Sequence, residues 1–208
     1  MKKRILLVTA KHGGQRATEM KNAMVSVRWR ALKSLVLLAI LLNTATAQSA
    51  SEYQVKAAFL FNFAKFVEWP ADAFTSADAP LQICVLGQDP FGNEFEAIEN
   101  KRVSGRRLEV VHPSGVPQAK ACQIIFVASS EKQRVREILR SLRAASVLTV
   151  GDTLDFAKKG GMINFVLEEN RVRFEINVKA SERAHLKLSA RLLIVAKLIV
   201  TDEDTAGN

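Results

Sequence analysis

Histidine is scarce, with three in 208 residues, and only His112 and His185 lie beyond residue 47. Neither sits in an H-E-x-x-H or comparable spacing, so zinc-hydrolase chemistry has no ligand set to rest on. The sequence also lacks G-x-S-x-G, a P-loop and G-x-G-x-x-G. That removes the usual strained nucleophile and the usual phosphate-cradling loops. Gly160-Gly161 precedes an alternating apolar stretch and reads as a turn. Ser181, Glu182 and His185 are the residue types of a hydrolytic triad, but nothing near them suggests an oxyanion hole. Glu94, Glu96 and Glu99 read as the solvated face of a short helix. The sequence therefore predicts no catalytic residue, no cofactor and no metal.

A long apolar run is missing too. Leu35–Leu42 is unbroken for eight residues, and a spanning helix needs about 20. Arg28, Arg30 and Lys33 precede it, and Ala45 and Ala47 follow at small-residue positions. Basic, then apolar, then A-x-A is the pattern of a secretory leader. Residues 1–47 are expected to be a signal peptide cut after Ala47, with Met24 as an alternative start that gives a leader of ordinary length. The leader carries nine of the 30 Lys and Arg and one of the 21 Asp and Glu. The remainder is close to electroneutral, so no nucleic-acid partner is expected. Its length suits one domain with a full core.

Cysteine is limited to Cys84 and Cys122, each at a β-branched apolar run that reads as a strand. In an exported chain pairing is the default. The other reading is two buried thiols acting as small hydrophobes.

The body of the chain alternates helix and strand patterns. Residues 51–70 predict a helix with Val55, Phe59, Phe63 and Phe66 on one apolar face, ended by Pro70. Phe61 projects roughly opposite, to be covered by another element or to meet a partner. "LQICVLG", "CQIIFVASS" and "SVLTVG" predict buried strands. "KRVSGRRLEVVHP" predicts two strands about a Ser-Gly turn. A helix follows Ser130, its expected N-cap, with Val135, Ile138, Leu139 and Leu142 inward. The alternation predicts a single α/β domain over residues 48–200, with a largely parallel central sheet flanked by helices. "GGMINFVLEENRVRFEINV" then predicts a β-hairpin, with Arg171, Arg173, Glu175 and Asn177 sharing one face. A long final helix is expected from Ser181 to Val200, with Leu188, Leu192, Val195 and Ile199 as its core stripe. Residues 201–208 are expected to be a disordered tail.

The stretches "YQVKAAFLFNFAKFVEWP", "ICVLGQDPFG", "KRVSGRRLEVV", "CQIIFVASSE", "SVLTVGD", "DFAKKGGMINFV", "RVRFEINV" and "LKLSARLLIVAK", in that order, resemble the YfiR-like family of periplasmic regulators. The resemblance implies a periplasmic α/β homodimer without catalysis. It implies binding to the periplasmic sensor portion of a membrane diguanylate cyclase, repressing cyclic-di-GMP synthesis and hence biofilm formation. The family's redox logic falls on Cys84 and Cys122. The second cysteine pair of some members is absent here, which favours a structural bridge over a redox switch. The late hairpin, at Ile163, Phe165, Phe174 and Glu175, matches a region that controls partner release. Lys187 and Ser189 match a region associated with small-ligand binding. The alternative is a periplasmic small-ligand or cell-wall binding protein without a cyclase partner.

Overall fold

A computed structural model describes residues 52–200, with side chains to residue 197. The expected leader and its cleavage point, and the polar tail 201–208, lie outside the described residues.

Helix α1 spans 52–66. Pro70 forbids its continuation, and the chain leaves through a two-residue strand, β1 (Val67–Glu68). A 3-10 turn at Ala71–Ala73 leads to β2 (Leu81–Leu86). A second 3-10 segment, Gly92–Ala97, precedes β3 (Arg102–Val103) and β4 (Arg106–Val111). Then come α2 (Val116–Ala119), β5 (Ile124–Val127), α3 (Val135–Leu142) and β6 (Leu148–Gly151). The hairpin is β7 (Ile163–Glu168) with β8 (Arg171–Asn177). After it follow α4 (Val178–Arg183), β9 (Lys187–Leu188), α5 (Ala190–Ile194) and β10 (Leu198–Val200).

The main sheet has the order β10-β8-β7-β6-β5-β2-β4-β3. The five strands β7-β6-β5-β2-β4 are all parallel. Numbered in chain order, they follow the doubly wound pattern 2-1-3-4-5. Antiparallel pairs close the two sides, β3 with β4 and β8 with β7. Strand β10 then joins β8 in parallel.

Each face of the sheet buries its own cluster. Under α1 lie Ile83, Val85, Phe126, Val150, Ile163 and Phe165, with Phe91 and Phe95 from the connection after β2. On the other face α2 and α3 cover Cys84, Leu86, Ile125 and Val127, with Phe156 from the β6–β7 loop. Alternate strand residues therefore feed two cores, which explains why these strands read as continuous apolar runs. The bridge Cys84–Cys122 is present in the second cluster, with Cα atoms 6.0 Å apart.

Three expectations need correction. The continuous helix Ser181–Val200 is replaced by α4, β9, α5 and β10. His185 adopts φ +58°, which turns the chain after α4. Ser189, in extended conformation, accepts from the Leu192 N–H and starts a new helix. The stripe of α1 is rotated: Ala57, Leu60, Phe63 and Ala64 are buried, while Val55 is 40 % exposed. Ser130 does not cap α3; a 3-10 turn at Ser129–Glu131 intervenes, and the Ser130 hydroxyl accepts from the Gln88 N–H at 2.9 Å.

Candidate functional site

The apolar face of α1 contains one lysine, Lys56, with only 4 % of its surface exposed. A buried ammonium is stable only when paired. Its Nζ lies 2.6 Å from Glu52 Oε1, one turn back, and 2.7 Å from Asp152 Oδ2, just past the carboxyl end of β6. The Tyr53 hydroxyl donates to the same Asp152 oxygen at 3.0 Å, and Lys56 Nζ stands 4.2 Å from the Tyr53 ring centroid. Burial, then the Asp152 charge and the hydrogen bond to it, push the Tyr53 phenol well above its ordinary value. The phenol is thus a fixed donor at neutral pH. Asp152 Oδ1, Thr153 Oγ1 and Asn164 Oδ1 are buried without a hydrogen-bond partner. This cluster joins the start of α1 to the end of β6. It clamps the two elements together through a buried ion pair and a hydrogen bond.

One turn further along α1, aromatic rings take over. Phe63 packs on Phe165 and Phe174 with centroids 5.7 and 5.2 Å away, and Phe59 meets Phe174 at 5.4 Å. Ile163, Phe165 and Phe174, expected to act on a partner, are therefore buried beneath α1. In this conformation they touch the helix, and any effect on a partner passes through packing. Glu175 lies on the opposite face of β8, half-buried, and accepts from Asn164 Nδ2 at 2.9 Å. Its backbone pairs with Leu198 of β10. The hairpin turns at Glu169 and Asn170, both with positive φ, the geometry that suits strand twist in a two-residue loop.

Phe61 is partly buried against the α1-side core. The ammonium groups of Lys65 and Lys101 stand 4.1 and 5.5 Å from its ring centroid. Lys187 is exposed on β9, in register with Glu68 of β1. Ser189 is occupied by the fold: its N–H donates to Phe66 O, and its hydroxyl caps α5. The structure thus gathers the hairpin phenylalanines around α1, places Glu175 on the far side of β8, and leaves Lys187 on the small β1–β9 sheet and Ser189 at the start of α5. Sequence reasoning missed Tyr53, Lys56 and Asp152. The signal was there: Lys56 precedes Leu60 by four and Phe63 by seven residues, the spacing of a buried helix face.

In doubly wound sheets ligands sit outside the carboxyl ends of the strands, where the order reverses. Here that point lies between β2 and β5. There Ala128 N–H donates to Leu86 O and Ser130 reaches across to Gln88, while Leu86, Gly87 and Glu131 line a cleft beside them. A Cβ at Gly87 (φ +98°) would stand 2.5 Å from Ser130 Oγ.

Among the described residues no helix is long and apolar enough to cross a membrane. Comparison with solved structures finds a conserved domain protein from Vibrio cholerae O1 biovar El Tor strain N16961, at 10 % identity and TM-score 0.45 over 58 % of this chain. It also finds an ABC domain from Streptococcus pneumonia in complex with L-Trp, at 12 % identity and TM-score 0.44 over 57 %. This chain spans 55 % of the length of each. The family described as YfiR/HmsC-like matches residues 53–197, from the first turn of α1 to the approach to β10. That match takes in Tyr53, Lys56 and Asp152 of the clamp, the disulfide and the hairpin together, and it supports a periplasmic regulatory role; the chain belongs to the YfiR/HmsC-like family.

Proposed function

We propose that this protein is a non-catalytic periplasmic regulator, acting as a homodimer, that binds the periplasmic sensor portion of a membrane diguanylate cyclase and represses cyclic-di-GMP synthesis. The observation that carries this reading is the family match along residues 53–197. The disulfide fits an oxidising compartment. Regulation by binding needs a protein whose surface differs between states, because a partner shifts an equilibrium only by its difference in affinity. The hairpin suits that role. One face of β8 is locked by phenylalanines to α1, and the other carries Glu175 in a polar pairing with Asn164.

Glu175 is the residue on which the test falls. Its loss removes one hydrogen bond, worth about 1 kcal/mol, and leaves the phenylalanine packing intact. Cells carrying Glu175→Ala are expected to hold more cyclic-di-GMP than cells with the unaltered protein, at equal protein level and with a melting temperature lowered by only a few degrees. Equal cyclic-di-GMP in the two strains removes Glu175 from the mechanism.

A further inference from the structure

A cleft of about 340 Å3 lies between α3, the β6–β7 loop and α4. Its rim holds Arg136, Arg140, Arg143, Lys158, Lys159 and Arg183, and no carboxylate lines it. Leu139, Met162 and Ala180 give it apolar walls. The volume is that of a small-molecule site.

Three elements bring these cations together, and the fold gains little from it. Arg136 and Arg140 are four apart on α3, and Arg143 follows three later, spacings at which like charges repel. Proximity to the α3 C-terminus favours Arg140 and Arg143, but not Lys158, Lys159 or Arg183. Lys158 is 3.5 Å from Asp155, and Lys159 Nζ donates to Leu154 O. Among the described residues the four arginines have no ion pair. The neighbouring cleft, between α3 and the segment after β4, is different. There Arg134 is matched by Glu131 at 3.2 Å and Glu137 at 3.3 Å. The imbalance is therefore local, and it occurs in a chain whose residues beyond 47 carry nearly equal numbers of acids and bases.

We propose that this cleft binds a phosphate-bearing anion with an apolar portion, independently of the cyclase reading. Guanidinium forks match phosphate oxygens bidentately and are weakly hydrated. The apolar walls take the rest of the ligand. The backbone N–H groups of Gly160, Gly161 and Met162 are already spent on Ala157 O, Phe156 O and Thr149, so recognition falls to the side chains. A free phosphate compound and an anionic lipid headgroup share this chemistry.

Inorganic pyrophosphate and thermal melting of the purified protein provide the test. Pyrophosphate is expected to raise the melting temperature saturably. The triple variant Arg136→Gln/Arg140→Gln/Arg143→Gln should weaken that response more than about tenfold and melt unliganded no lower than the unaltered protein. Lys101→Gln/Arg102→Gln/Arg107→Gln removes the same charge from a different cluster and should change the apparent affinity less than about twofold. Flotation with phosphatidylglycerol vesicles then separates the sources. Vesicle binding that pyrophosphate displaces identifies a headgroup, and a pyrophosphate response without vesicle binding identifies a soluble phosphate. A non-saturable response, or equal losses in the two triple variants, overturns the proposal. So does a lowered unliganded melting temperature with unchanged pyrophosphate affinity.

Discussion

Tyr53 is the only tyrosine in the chain, so it reports on the clamp without interference. Its native pKa stands above the unfolded value of about 10, so above that pH the native state keeps a proton that the unfolded state releases. The associated stability is fully present below pH ~10 and is lost as the pH rises through the native value. Tyrosinate absorbance in an alkaline titration is expected to appear late, with unfolding. In Asp152→Asn, which removes the charge but not the burial, it should appear earlier, though still above the ordinary value. Late and identical titration in both would mean that Asp152 does not act on the phenol. Lys56 illustrates why such a group is hard to see in a sequence. Its position on the helix face is legible, but its partner Asp152 lies 96 residues away, and only the sheet brings the two together.

At the level of elements, the strands and α3 were legible because their buried residues repeat regularly. Val135, Ile138, Leu139 and Leu142 are all buried as the spacing requires. The segment after the hairpin was not, because Leu188, Leu192, Val195 and Ile199 carry a helical period that the backbone does not follow. The period holds over Ala190–Ile194, but Leu188 pairs with Val67 and Ile199 with Ile176, each in a strand. Tertiary pairing there overrides a local pattern. The α1 stripe was misplaced for another reason. Val55, Phe59, Phe63 and Phe66 keep a helical spacing, but small alanines at 57 and 64 let the adjoining side of the helix approach the sheet. Close approach also governs the β6–β7 loop, where Phe156 is packed against two glycines. A Cβ on Gly161 would stand 2.1 Å from the Phe156 ring, and one on Gly151 2.6 Å. Gly161→Ala is therefore expected to lower stability by about 1–3 kcal/mol in denaturant unfolding. Phe156→Leu, destabilising in the unaltered protein, should recover part of that loss in the alanine background. Additive losses would show that the ring is not what the new methyl meets.

For the whole molecule, the two cores and the covalent link from β2 to the segment just before β5 set the stability. Cys84 and Cys122 expose 0 % and 4 % of their surface, so a reductant reaches them only when the domain opens. The bridge joins residues 38 apart, and loop-closure entropy gives it up to roughly 4 kcal/mol. Cys84→Ser/Cys122→Ser should therefore shift the urea midpoint down strongly while the native fold persists in the absence of denaturant. A midpoint unchanged from that of the oxidised protein would contradict a structural role. Pairing was readable from two cysteines and an export pattern. The site was less so, because hairpin, helix and clamp lie far apart in the chain and share one place only in the folded sheet. On the function proposed above, this domain works by holding a membrane enzyme in its inactive state. Cyclase turnover in isolated membranes, measured as purified protein is added, tests that most directly. Saturable inhibition, with a diguanylate cyclase recovered on the tagged protein, is the predicted result. Turnover that stays constant at a large excess of the protein would contradict it.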